Sequence, residues 1–89
     1  MKIFLKYKIQ KIIFQFKVEY YNTYISLCNR MYSSNNLAFI KKSLLEISIN
    51  FNYIQEKLLK CKDFSSLTSY TDSLKSVYSC LDELKSYAS

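Results

Sequence analysis

The chain has 89 residues and contains no glycine, proline or histidine, so it lacks the usual means of making tight turns, phosphate-cradling loops, helix breaks and imidazole chemistry. A histidine-based triad, a His-ligated zinc site and a neutral-pH imidazole switch are all excluded. Nearly half the residues are hydrophobic and the net charge is +6, which argues for a folded protein whose surface attracts acidic partners.

This length makes one domain, residues 1–89, able to bury a core without disulfide or metal staples. The cysteines Cys28, Cys61 and Cys80 are odd in number and too widely spaced for a CxxC motif, so they read as reduced core thiols of a cytosolic protein. Lysines interrupt the N-terminal third too often for the apolar run of about 18–20 residues that spans a bilayer. A secretory signal is not expected for the same reason.

Residues 1–32 carry Lys2, Lys6, Lys8, Lys11, Lys17 and Arg30 against the single acid Glu19. Ile9, Ile13, Phe16, Tyr20, Leu27 and Met31 recur at helical steps, with Thr23 and Tyr24 filling the gap, which predicts an amphipathic helix over 3–32. The alternation from Phe14 to Tyr20 also suits a strand, but a lone strand would have nothing to pair with. Ser33, Ser34, Asn35 and Asn36 form a break, and any of the last three could cap the next helix.

A second helix is predicted over 36–62. Leu37, Ile40, Leu44, Ile47, Phe51, Ile54, Leu58 and Cys61 alternate steps of three and four along one seam. On its other side Leu45, Ile49 and Tyr53 step by four, joined less regularly by Phe39 and Leu59. Either another bundle helix covers this row or it is a partner-binding stripe. After a short connection at 62–66, with Asp63, Ser65 and Ser66 as capping candidates, a third helix over 67–87 carries Leu67, Tyr70, Leu74, Val77, Leu81, Leu84 and Ala88. Short connections make neighbouring helices antiparallel. The expected fold is all-α, an up-down-up antiparallel three-helix bundle with coiled-coil-like heptad packing.

Little here suggests catalysis. The acids are scattered, and Asp82 and Glu83, adjacent in sequence, do not face one another on a helix. The abundant serines lack a base and a nucleophile elbow, so no enzyme, cofactor or metal is expected. The basic, aromatic N-terminal third reads as a solvated face, a nucleic-acid surface or a docking surface for an acidic protein. Dispersed lysines, with tyrosines mostly at packing positions, argue against nucleic acid. Basic residues followed by Arg30, Met31, Tyr32 and Ser33 also fit a mitochondrial presequence cleaved before Ser33.

Several segments, taken in order, resemble the tubulin-binding cofactor A family, small chaperones of β-tubulin. Lys6, Lys8 and Lys11 in LKYKIQKII match the lysines of the family's first helix, and Glu19, Tyr20 and Tyr21 in KVEYYNTY its acidic residue and tyrosine. Ile40, Lys41 and Lys42 match the start of its second helix, EKLLKCKDF the later half of that helix, and TDSLKSVYSCLDEL its closing helix, including Asp72, Val77 and Ser79. Gln55 stands about where members commonly carry proline, and the chain is more basic than most members.

The resemblance implies a cytoplasmic chaperone associated with the microtubule cytoskeleton, which binds β-tubulin stoichiometrically during folding and dimer assembly, with no nucleotide or metal. The expected contact residues are Lys6, Lys8, Lys11, Tyr20 and Tyr21 from the first helix, with Lys41, Lys42, Leu45, Ile49 and Tyr53 from the second. The alternative is a structural or assembly subunit of a larger complex, mitochondrial if the presequence is cleaved. Heptad seams allow a monomer or a homodimer.

Overall fold

The computed structural model describes residues 2–30 and 35–88. Three helices, α1 (Lys2–Arg30), α2 (Leu37–Leu59) and α3 (Phe64–Lys85), are followed by a 3₁₀ turn at Ser86–Ala88. All three pack on one another in a rod of 50 × 17 × 16 Å, whose long axis reflects α1, about 43 Å long at 1.5 Å per residue.

Each helix contributes one stripe to a single core. Leu5, Ile9, Ile13, Phe16 and Leu27 come from α1, Ile40, Leu44, Ile47, Phe51, Ile54 and Leu58 from α2, and Leu67, Leu74, Val77, Leu81 and Leu84 from α3. Steps of three and four hold these side chains on one face as each helix turns. Thr23 is buried in the gap of the α1 stripe, whereas Tyr24 lies partly in solvent. At mid-height the Phe16 ring stacks on Phe51 at 4.1 Å between centroids and meets Tyr78 edge-on at 5.0 Å. Such aromatic pairs add about 0.5–1.5 kcal/mol each to the burial of the rings.

Cross-helix pairs fix the up-down-up order. Phe16 meets Phe51 and Tyr20 reaches Leu44, so α1 and α2 are antiparallel. Phe4 meets Phe64 and Glu19 pairs with Lys85, so α1 and α3 are parallel. α2 runs against both.

The helix ends differ from the sequence expectation in ways the caps explain. α3 begins at Phe64, three residues before the expected start, because Asp63 rather than Ser65 or Ser66 is the cap. Its extended backbone aims a carboxylate oxygen at the Ser66 amide, 2.7 Å away. α2 ends at Leu59, short of residue 62. With no glycine to take a left-handed C-terminal turn, the chain tightens instead: the Lys60 amide bonds to the Lys57 and Glu56 carbonyls and the Cys61 amide to Leu58. Cys61 still packs on the core from beyond the helix. Asn36 occupies the N-cap of α2, but its backbone is helical and its side chain makes no capping bond. Met31 and Ser34, named above as seam and cap residues, lie outside the described residues, as does the Ala88 side chain. α2 runs unbroken through Gln55.

The Asp63 cap makes stability depend on pH. Hydrogen bonds from the Ser66 amide and hydroxyl, with one from the Ser65 amide, hold the carboxyl below the usual aspartate range. A depressed folded-state pKa gives stability that is complete above the unfolded value, about 3.9, and is lost as the pH falls through the folded value. Asp63→Asn, which keeps an acceptor but does not titrate, should melt slightly below wild type at pH 7. That gap should narrow in thermal melts as the pH falls below the usual aspartate range.

Candidate partner-binding surface

The core stripe of α2 leaves an opposite face on which Leu45, Ile49 and Tyr53 rise one turn apart, and these are 59%, 57% and 63% exposed. The covering helix allowed for in the sequence is not there, because α1 and α3 both lie on the core side. Lys41 and Lys42 are exposed one turn before Leu45. At the far end the Lys57 ammonium sits 4.6 Å from the centre of the Tyr53 ring, covering it with a cation–π contact. The row is thus apolar and bordered by Lys41, Lys42 and Lys57, with the exposed acids Glu46 and Glu56 also beside it. Phe39 and Leu59 are exposed as well, although the Phe39 ring meets Tyr87 at 5.8 Å.

The α1 residues divide into two groups. Tyr21 is exposed, while Tyr20 is half-buried, stacked on Phe16, with its hydroxyl donating to the Leu44 carbonyl at 3.1 Å. Burial pushes the Tyr20 phenol above its ordinary pKa, against a smaller opposing hydrogen bond with Ser48. Tyr20 therefore clamps α1 to the start of α2 and sets the position of Tyr21, whose ring lies 5.7 Å away. Lys6, Lys8 and Lys11 are exposed at the other end of the rod, where Leu5 and Ile9 share a groove with Leu59 and Cys61. Lys8 leans over the Phe64 ring, 6.0 Å from its centre. Antiparallel packing thus places Tyr20, Tyr21, Lys41, Lys42 and Leu45 toward one end, Lys6, Lys8 and Lys11 toward the other, and Ile49 and Tyr53 between.

Other expectations are corrected. Cys80 is exposed, and Cys28 and Cys61 are half-buried, so none of the three is a fully buried core thiol. Tyr7, Tyr21 and Tyr24 are exposed and Tyr20 is half-buried, so the described tyrosines of the N-terminal third do not sit mostly at packing positions. Sequence reasoning missed a second exposed apolar set on α1, namely Phe4, Tyr7, Phe14, Val18 and Ile25. It also concealed the source of the apparent strand alternation. Phe16 and Tyr20 turn inward, Phe14 and Val18 turn outward, and two interleaved steps of four read as period two.

Electrostatically, α1 is joined to α3 by the Lys85 ammonium, 3.0 Å from Glu19 and 3.4 Å from Asp82. The hydrogen bond to Glu19 raises the Lys85 pKa. Among the described residues no group of three or more Cys, Asp or Glu side chains is placed to hold a metal ion, and no helix is long and apolar enough to cross a membrane. Compared with protein-family models, curated proteins and solved structures, the chain matches none.

Proposed function

We propose that this protein is a non-enzymatic chaperone that holds an acidic client on its outer helix faces, the client being β-tubulin in its folding and dimer-assembly pathway, in the cytoplasm and at the microtubule cytoskeleton. The observation that carries this reading is the exposed row Leu45, Ile49 and Tyr53 beside Lys41 and Lys42. Apolar side chains next to a basic pair gain from being covered by an acidic partner: burial supplies affinity, and Lys41 and Lys42, with the net charge of +6, supply encounter rate and orientation. Placing them on a packed helix keeps the ordering cost of binding low. The tubulin identity rests on the resemblance of LKYKIQKII, the Ile40–Lys41–Lys42 start and TDSLKSVYSCLDEL to tubulin-binding cofactor A.

In a pull-down, the purified chain should enrich β-tubulin, and Lys41→Glu/Lys42→Glu should reduce recovery about tenfold or more while the circular dichroism spectrum is unchanged. Failure of the wild-type chain to enrich tubulin overturns the reading. The second exposed apolar set, on α1, favours one alternative, a structural subunit that completes a larger helical assembly. Such a subunit would leave cells in a fixed complex without tubulin.

A further inference from the structure

Along the outer side of α1, Phe4, Tyr7, Lys11, Phe14, Val18, Tyr21, Ile25 and Cys28 follow one another at strictly alternating steps of three and four. This is a second heptad seam, spanning nearly the whole helix and turned away from the core stripe. All its members but Cys28, which is half-buried, are exposed, Phe14 to 67% and Ile25 to 57%. We propose that this seam is a coiled-coil docking surface for one amphipathic helix of a partner protein, with apolar a and d positions, acidic flanks, and a carboxylate facing Lys11.

Charge selects the occupant. The positions bordering the seam are Lys8, Gln15, Asn22 and Asn29 on one side and Ile3, Gln10, Lys17 and Tyr24 on the other, with no acid among them. Glu19, the single acid of α1, is turned to Lys85 on α3. Lys11 is the lone charge within the seam, and a single polar residue at a seam position fixes register and partner at some cost in stability. Pairing with a second copy fails on these charges. A parallel pair sets Lys11 against Lys11, and an antiparallel pair centred between Phe14 and Val18 brings the two Lys17 side chains together. A lipid surface is also a poor fit, because a helix lying in a membrane interface needs a broad apolar face, whereas this one is two positions wide over its middle, between Lys8, Gln15 and Asn22 on one side and Gln10 and Lys17 on the other.

The seam lies on α1, apart from the α2 row that carries the tubulin reading, although it shares Lys11 and Tyr21 and its neighbour Lys8 with the expected tubulin contacts; its occupant is defined without reference to tubulin. Two synthetic helical peptides with identical leucine and isoleucine seams serve as probes. One carries glutamate at the flanking positions and opposite Lys11, and the other carries lysine there. By fluorescence anisotropy the full-length chain should bind the glutamate peptide about tenfold or more tightly than the lysine peptide, with Lys11→Glu narrowing or reversing that preference. Phe14→Lys/Ile25→Lys should weaken binding about tenfold or more, and melting should be unchanged because both side chains are exposed. Lys41→Glu/Lys42→Glu should bind the peptide as wild type does, so failure of the tubulin pull-down and failure of this proposal are separate results.

Three outcomes would overturn the proposal. One is equal or absent binding of the two peptides. Another is a dimer in sedimentation that Phe14→Lys/Ile25→Lys dissociates, which would assign the seam to a second copy. The third is sedimentation with phosphatidylserine vesicles, lost in that same variant, without peptide binding.

Discussion

Phe16→Ala should lower the melting temperature by about 15–30 °C, with the helical spectrum retained at low temperature. Phe16 is 1% exposed and contacts both other helices, stacking on Phe51 and meeting Tyr78 edge-on. Truncation removes the ring's transfer energy and leaves a cavity between three helices that only partly collapses, a loss of about 3–5 kcal/mol. In a domain whose whole stability is about 5–15 kcal/mol, this is a large share. Phe14→Ala is the matched control. Two residues away and largely in solvent, it should change stability by no more than about 0.5 kcal/mol. Thermal melts of the two variants measure the inward and outward faces of α1 separately, and equal effects would contradict the assignment of faces.

A chain beginning at Ser33 should lose its cooperative monomeric melt. It would lack Leu5, Ile9, Ile13, Phe16 and Leu27, uncovering Phe51, Leu44 and the α1-facing side of the α2–α3 hairpin. Two helices that bury one side each cannot offset an ordering cost of about 1–2 kcal/mol per residue. The truncated chain should therefore be largely unfolded when dilute, or helical only as an oligomer that replaces α1 with a second copy. Circular dichroism and sedimentation velocity at two concentrations distinguish these from a folded monomer. The result bears on the presequence alternative, whose cleavage residues Met31, Tyr32 and Ser33 lie outside the described residues. If processing occurs, the mature form needs another chain to cover α2 and α3. N-terminal sequencing of the protein from its own cells tests that directly.

The core was legible because it is periodic. Ile40, Leu44, Ile47, Phe51, Ile54 and Leu58 could be picked out by spacing alone, as could Leu67, Leu74, Val77, Leu81 and Leu84, and all are buried. Helix ends were less legible, since Asp63, Ser65 and Ser66 all have capping side chains and only backbone geometry chose Asp63. The candidate surface was legible on α2, where one apolar row stands apart from the seam. On α1 it was obscured. Inward and outward rows are both apolar and aromatic there, so the interleaved pattern resembled a strand and the outward row passed unnoticed.

By itself, then, the sequence determined an all-α chain with three heptad seams. Steps of three and four place side chains on one helix face whatever surrounds them, and the absence of glycine and proline leaves the helices unbroken. Only the tertiary structure decided which apolar residues would remain uncovered. Three helices close one core with one face each. The packing took Phe16 and Tyr20 inward and left Phe14, Val18, Leu45, Ile49 and Tyr53 in solvent, because a bundle of three has no fourth helix to cover the remaining rows.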